Sequence, residues 1–295
     1  MTANTINVAV VGLDGHGPVF IDALNGARPV VEGLRVVKAM AHPSVMISAQ
    51  QLAQNVERTR SLGVAIVDAP EELAEGVDGI LILHDDGARH QDLVRMCAGL
   101  GKPLFVDKPL AADAAAAREI AAICARHRCP FFSASSLRFS VELRAALCDP
   151  AGGPVRSAMT FSPYAPSPSM PGWIYYAVHA VEPLYTIMGP GCRELACRDS
   201  PFGPVAIGRW ADGRIGIAKG NTGCPHEYGF TLWREHASVA TKVNAEGLYP
   251  ELLREIRRFL LTREAPVSAR ESVEVIAFLE AANRSMANGG ALVSF

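Results

Sequence analysis

The sequence predicts an α/β protein in two parts: a doubly wound parallel sheet, then an α/β domain with an open, mostly antiparallel sheet. Three observations carry this expectation. The chain has 295 residues, longer than one typical domain and a natural length for two. Its first half alternates short Val-, Ile- and Leu-rich runs with helical patterns, the rhythm of strands buried on both faces and joined by helices. From about Gly153 the rhythm becomes period two, which fits half-buried antiparallel strands. The predicted domains are 1–127 and 128–295.

Buried strands are predicted at Ile6–Val11, Leu34–Met40, Val64–Val67, Val77–Leu83 and Leu104–Val106. Helices fall between them, one from near Ser44 to Gly63 and another over Gln91–Leu100. Asp113 caps a helix reaching about Arg128, and Pro130 ends it before the short strand Phe131–Ser133. In the second part a helix is expected from Trp173 to Met188, behind the Pro- and Ser-rich stretch Pro163–Gly172. The alternations Tyr228, Phe230, Leu232 and Ala237, Val239, Thr241, Val243 mark two strands. Leu252, Leu253, Ile256, Phe259 and Leu260 form the apolar stripe of one late helix, and a last helix runs from Ser268 to Asn288 before Gly289. A sheet with one face on the Trp173 helix leaves the other, carrying Phe230, Val239 or their neighbours, open to a second copy. A homodimer or homotetramer is therefore expected.

Hydrophobic residues make up 49% and charged residues 20%, with a net charge of −2. That balance favours neither nucleic acid nor an anionic membrane, and leaves small, roughly neutral ligands as expected partners. The seven cysteines form no CxxC pair. Cys124 and Cys129 flank His127, and Cys224 lies near His226, but neither spacing is that of a zinc site. No metal is expected, and idle thiols suit a reducing cytoplasm. The first residues carry no positive charge, and Ile6–Val11 is too short for a secretory core or a membrane span. Cytoplasmic placement is expected.

The first motif is Gly12-Leu13-Asp14-Gly15-His16-Gly17, after a strand and opening a helix. Glycines there allow a tight turn and close approach of the backbone to a pyrophosphate, while the helix N-terminus offers free N–H groups. Read as GxGxxG, Gly12 and Gly17 fit, and Asp14 takes the second glycine's place. A carboxylate facing a pyrophosphate would repel it, so Asp14 must point away or weaken binding; Gly15 can take over the close approach. At the end of the second strand, Met40-Ala41-His42-Pro43-Ser44 holds no acid for a ribose 2′-hydroxyl. His42 and Ser44 sit where a 2′-phosphate would, so the cofactor is read as NAD or NADP, leaning to NADP.

The second motif is Phe105-Val106-Asp107-Lys108-Pro109, preceded by Gly101-Lys102-Pro103. Ligands of open parallel sheets bind at the strands' carboxyl ends, which is where this puts Lys108. Only five of the 28 basic residues are lysines, and Pro109 fixes how Lys108 leaves the strand. From Val77 to Ala111, with His90 opening a helix, the chain resembles the Gfo/Idh/MocA oxidoreductases. Asp107 stands for that family's glutamate, and Asp85-Asp86-Gly87 for its Thr-Pro-Asn loop. The resemblance extends over nearly the whole chain, through Ser136-Leu137-Arg138-Phe139. It implies a Rossmann domain whose cofactor contacts come from Gly12, Asp14, Gly15, His16, Gly17, His42, Asp85, His90, Asp107, Lys108 and Pro109.

The third motif runs from Gly172 through Trp173, Tyr175, His179 and Glu182 to Pro183. On one helix, Tyr175, His179 and Glu182 would share a face, and Pro183 would kink it beside that stripe. The segment is similar to the family's Asp-x-Gly-x-His-x-x-Asp motif, with Tyr175 and Ala177 as departures. The resemblance implies His179 as acid/base, Lys108 at the reacting hydroxyl, and Glu182 as a replacement carboxylate. Substrate contacts are expected from Lys108, Arg138, Trp173, Tyr175 and His179. The function this implies is hydride transfer between a nicotinamide dinucleotide and a hydroxyl or carbonyl carbon of a sugar, cyclitol or similar polyol. Two alternatives remain at this point: a dinucleotide- or sugar-binding regulator without catalysis, and a non-redox enzyme using bound NAD transiently.

Overall fold

The computed structural model describes residues 5–165 and 167–295. The four residues read above for a leader, and Pro166 in the Pro- and Ser-rich stretch, lie outside the described residues. The chain divides into two compact units. The first runs to Ala111, resumes over Ala115–Ala134 and takes in Leu252–Ala269; the second holds Ala112–Ala114, Ser135–Glu251 and Arg270–Phe295.

The first unit contains strands β1 (Ile6–Val11), β2 (Leu34–Met40), β3 (Ala65–Ile66), β4 (Gly79–Ile82), β5 (Leu104–Val106) and β6 (Phe131–Ser133). Helices α1 (His16–Asn25), α2 (Ala49–Ser61), α3 (Pro70–Ala74), α4 (His90–Cys97) and α5 (Ala114–Arg126) alternate with them. The strands form one sheet in the order β3-β2-β1-β4-β5-β6, with every pairing parallel. This is the doubly wound Rossmann order, reversing between β1 and β4, where ligands bind in such sheets.

Strands β1, β2, β5 and β6 fall where the apolar runs put them. β3 and β4 are shorter than expected, and α2 starts at Ala49, not near Ser44. Ser48 sets that start: its hydroxyl accepts from the Gln51 N–H at 3.1 Å.

A boundary at 127/128 would cut this sheet. β6 pairs with β5, Phe131 opposite Leu104, so the chain leaves the first unit only after Ala134. The unit also claims most of α8 (Leu248–Thr262). Phe259 of α8 lies edge-on to Phe132 at 5.0 Å, and Phe132 lies 5.0 Å from Phe105. The apolar stripe of α8 was legible in the sequence, but a stripe does not say which sheet it covers.

The second unit holds α6 (Val141–Cys148), α7 (Val178–Met188) and α9 (Ala269–Ala287). Its strands are β7 (Val155–Pro163), β8 (Cys192–Arg198), β9 (Val205–Trp210), β10 (Ile215–Asn221), β11 (Gly229–Arg234), β12 (Ser238–Lys242) and β13 (Val293–Ser294). They form an open sheet in the order β12-β11-β7-β10-β9-β8-β13. β7 and β10 pair in parallel, and the other pairings are antiparallel.

Helix α7 packs on this sheet; the Thr160 hydroxyl of β7 donates to the Ala180 carbonyl at 2.7 Å. Phe230 pairs opposite Thr160 and is 1% exposed, so it faces α7, not the open side. The open face carries Ile207, Ile215 and Trp233, each 38–45% exposed, in positions shifted by one along the strands. A one-residue shift exchanges the faces of a strand.

Helix α7 begins at Val178, five residues later than expected. The preceding turn is pinned by Asn283, whose side chain accepts from the Trp173 N–H at 2.9 Å and donates to the Pro171 carbonyl at 3.1 Å. Among the described residues no helix is long and apolar enough to cross a membrane.

If α8 belongs to the first unit's core, Phe259→Ala removes a fully buried ring from beneath β6. Urea unfolding should show a loss of about 3–5 kcal/mol; a change under about 1 kcal/mol would contradict this packing.

Candidate functional site

In the first unit the site lies at the carboxyl ends of β1, β4 and β5. Gly12 has φ +97°, and a Cβ there would stand 2.5 Å from the His84 backbone N. The glycine thus lets β1 turn directly against the end of β4. A Cβ on Gly17 would meet the Gly12 carbonyl at 2.1 Å, so this glycine serves the turn itself. Gly15 is the N-cap of α1; it supplies no capping side chain, and the first turn holds no acid. The α1 N-terminus therefore keeps N–H groups suited to an anion, and these residues fit a pyrophosphate.

Asp14 does not oppose that role. Its buried carboxylate accepts from the Asp85 N–H at 3.1 and 3.2 Å. It neither faces an anion nor points to solvent; it ties the glycine turn to the loop after β4. His84 ties a third segment. Its Nε2 donates to the Pro43 carbonyl at 3.1 Å and its Nδ1 accepts from the Asp86 N–H at 3.2 Å.

His90 departs from its expected place among the cofactor contacts. It is fully buried, with Nδ1 2.9 Å from the Pro109 carbonyl and Nε2 2.7 Å from the His84 carbonyl. Both nitrogens are taken by main chain, so His90 is a strut between the loops after β4 and β5. Pro109 is buried too and meets this strut through its carbonyl. Lys102 is another strut, donating to the Val77 carbonyl at 2.7 Å.

Four charged or titratable groups converge beside this frame. His16 Nδ1 is 2.5 Å from the Asp107 carboxylate, and Lys108 Nζ is 3.7 Å from that of Asp85. Burial alone would raise the Asp107 pKa. The charge and hydrogen bond of His16, with Lys108 and His90 adding, outweigh it and lower the pKa to about 2. Asp107 is therefore a carboxylate throughout the working range and not a proton donor. His16, Asp85 and Asp107 have ligand atoms within 4.8 Å of one another, the one such group found among the described residues. The Lys108 ammonium already supplies positive charge there.

At the end of β2, the His42 ring stands edge-on to His84 at 5.2 Å and donates from Nδ1 to the Pro43 carbonyl at 3.0 Å. Burial lowers its pKa, the Pro43 carbonyl opposes, and His84 and Arg89 lower it further. The ring is thus mostly uncharged at neutral pH. Arg89, exposed in the turn after β4, lies within electrostatic reach of His42, a cation the linear sequence did not place there.

In the second unit, His179 is 9% exposed. Its Nδ1 lies 2.8 Å from the Ser135 hydroxyl, and its ring meets the edges of Tyr176 at 4.9 Å and Tyr228 at 5.8 Å. Ser135 was missed in the sequence: 44 residues separate it from His179, and no spacing rule joins a residue after a strand to a distant helix.

Glu182 is not the partner of His179. It pairs with Arg138, which also donates to Glu271 at 2.6 Å and Thr186 at 3.3 Å. Arg138, expected at the substrate, is 5% exposed and joins the Ser136–Phe139 turn, α7 and α9. Trp173, expected there too, is fully buried. Tyr175 lies in the turn before α7, half-buried, so it does not share a helical face with His179.

Sheet order, glycine turn and open helix terminus together make a dinucleotide-binding Rossmann unit. Residues 6–135 match the model of the oxidoreductase family with an NAD-binding Rossmann fold, Gfo/Idh/MocA. Over these residues the chain is similar to that family of NAD-binding oxidoreductases. No curated protein sequence matches the chain.

Three similar solved structures share the whole fold. GenD2 from gentamicin A biosynthesis, in complex with NAD, is 18% identical with TM-score 0.83, covering 100% of this chain and 97% of its own. A putative myo-inositol dehydrogenase from Sinorhizobium meliloti 1021 is 18% identical with TM-score 0.82, covering 98% and 99%. Scyllo-inositol dehydrogenase from Lactobacillus casei, with NAD(H) and scyllo-inositol, is 12% identical with TM-score 0.80, covering 99% of each chain.

If Asp14 holds the turn, Asp14→Ala orphans a partly buried N–H and should lower stability by about 1 kcal/mol or more in urea unfolding. Asp14→Asn keeps an acceptor and should lose much less. Equal stabilities for all three proteins would refute the role.

Proposed function

We propose that this oxidoreductase transfers hydride between a nicotinamide dinucleotide and a hydroxyl or carbonyl carbon of a sugar, cyclitol or similar polyol. The observation that carries the reading is His179, buried and held by Ser135 between two tyrosines whose rings and hydroxyls suit a polyhydroxylated ring. The scyllo-inositol named with one neighbour, and the myo-inositol with another, support this substrate class.

The nicotinamide, when bound, supplies the hydride acceptor or donor. A hydroxyl that loses hydride also loses a proton, and His179 takes it. With Nδ1–H donating to Ser135, Nε2 carries the lone pair of the base. Ser135 thereby does what a carboxylate at position 175 would have done. Lys108, through its ammonium, stabilises charge developing on the reacting oxygen.

For the cofactor, NADP is preferred over NAD. No acid ends β2, and Arg89 near His42 supplies the cation that a 2′-phosphate needs. Seven free cysteines suit a reducing compartment such as the cytoplasm. The open apolar face of the second sheet supports association into a homodimer or homotetramer. Light scattering at micromolar concentration tests the assembly, and a strict monomer would refute it.

Mass spectrometry of ligands released from freshly purified protein, then a polyol screen at the reduced-nicotinamide absorbance band, tests the activity. A bound dinucleotide with no turnover of any polyol would favour the regulatory reading. His179→Ala should lower turnover by about a hundredfold or more with dinucleotide affinity unchanged. Ser135→Ala should fall between wild type and that variant and shift the pH profile. Lys108→Ala should damage turnover and weaken substrate binding. Arg89→Ala should lower kcat/KM for NADP by about tenfold, the scale of one charge-assisted hydrogen bond, while leaving NAD nearly unaffected; equal effects on both would refute the preference.

A further inference from the structure

Beside His179 the second unit carries a hydrogen-bonded chain to which the mechanism above assigns no proton. The Tyr176 hydroxyl lies 2.9 Å from Nε2 of His226 and 3.0 Å from the Tyr228 hydroxyl. The chain has a buried end and an open one. Tyr228 is buried in an apolar cluster with Leu137 and Leu248, whereas His226 is exposed. Burial, with the bond to Tyr176 adding, pushes the Tyr228 pKa well up, so this phenol keeps its hydrogen.

Hydrogens in this chain can be counted. Two links join three heavy atoms, and the two phenols bring one hydrogen each. When Nε2 of His226 is bare, Tyr176 must donate to it and Tyr228 must donate to Tyr176, so both hydrogens are used. When His226 is protonated, Nε2–H donates to the Tyr176 oxygen. One phenol hydrogen then closes the second link, and the other is released for a third partner. A proton on Nε2, which the charged imidazole always carries, thus converts a hydroxyl in the wall around His179 from acceptor to donor.

We propose that Tyr228, Tyr176 and His226 form a relay that reads an oxygen of the polyol-type ligand, with its polarity set by the proton on Nε2 of His226. With Nε2 bare the relay accepts from an alcohol; with Nε2 protonated, as it always is in the charged ring, it donates to a carbonyl or ether oxygen. The ligand class rests on the function proposed above, while the relay itself does not. The groups facing His226 are Tyr176 and Tyr228, with ring centroids at 5.7 and 5.5 Å. Cys224 and Glu227 share its loop, and Glu227 is paired with Lys242 at 2.7 Å. Tyr249 acts on Tyr228 from the start of α8, and His179 stands behind both tyrosines.

The test is a pH titration of the full chain carrying 13C at tyrosine Cζ and in the histidine rings, followed by NMR without substrate or cofactor. In the wild type, the Tyr228 Cζ signal should move with the His226 midpoint. In Tyr176→Phe, which keeps the ring and loses the hydroxyl, His226 should still titrate and Tyr228 should stop following it. A Tyr228 signal indifferent to His226 in the wild type, or one that still follows it in Tyr176→Phe, overturns the relay. A second arm uses myo-inositol as probe on protein saturated with dinucleotide. Its affinity should change about fivefold across the measured His226 midpoint in the wild type and stay flat in His226→Gln. Oxidation of myo-inositol with pH-independent binding would sink the reading role and leave the proposed function standing. An intact relay with no oxidation of any polyol would do the reverse.

Discussion

Gly12 lies so close to the end of β4 that a Cβ there would stand 2.5 Å from the His84 backbone N. Much of the first unit follows from that approach. Because β1 turns against β4, Asp14 reaches the Asp85 N–H, and His84 reaches back to Pro43 after β2. His90 then braces the loop after β4 against the one after β5. The loops that end β1, β2, β4 and β5 are thereby linked through buried side chains bonded to main chain. Such bonds matter because a buried polar group left unpaired costs more than a paired one contributes. The frame leaves the α1 N-terminus open and sets Asp107 and Lys108 beside it.

Much of this fold was legible in the residues. Val-, Ile- and Leu-rich runs gave three of the six parallel strands their bounds, because strands buried on both faces need no strict alternation, and Pro130 marked the start of a fourth. The glycine turn and Lys108 could be located for a similar reason: their chemistry is local to a few adjacent residues. What escaped was long-range. Asp14 read as a threat to a pyrophosphate because its partner, the Asp85 N–H, lies 71 residues away. Glu182 read as a partner for His179 because three-residue spacing matches a helix face, yet Arg138, 44 residues distant, takes it. The helix expected from Trp173 starts late because Asn283, far along the chain, holds the turn before it. Propensity and spacing yield to such tertiary contacts.

The catalytic role proposed for His179 would draw on unusual parts of the second unit. A histidine that works as a base needs one nitrogen held so that the other presents its lone pair. Tyr175 cannot provide a carboxylate for this, and Glu182 is committed to Arg138. A buried serine, Ser135, supplies the hold instead. A hydroxyl can donate or accept, so it orients the ring without fixing its charge as a carboxylate would. The two tyrosines around His179 add bulk and further hydroxyls, a setting that favours a compact, oxygen-rich ligand over a purely apolar one.

In the proposed reaction a hydrogen moves as hydride from a polyol carbon to the nicotinamide. Its most direct measurement is isotopic: incubate the protein with oxidised dinucleotide and myo-inositol deuterated at its ring carbons, then analyse the reduced dinucleotide by mass spectrometry and NMR. The account predicts one deuterium per turnover, on a single face of the nicotinamide ring. Bound dinucleotide that remains oxidised, or a reduced ring carrying only solvent hydrogen, would contradict it.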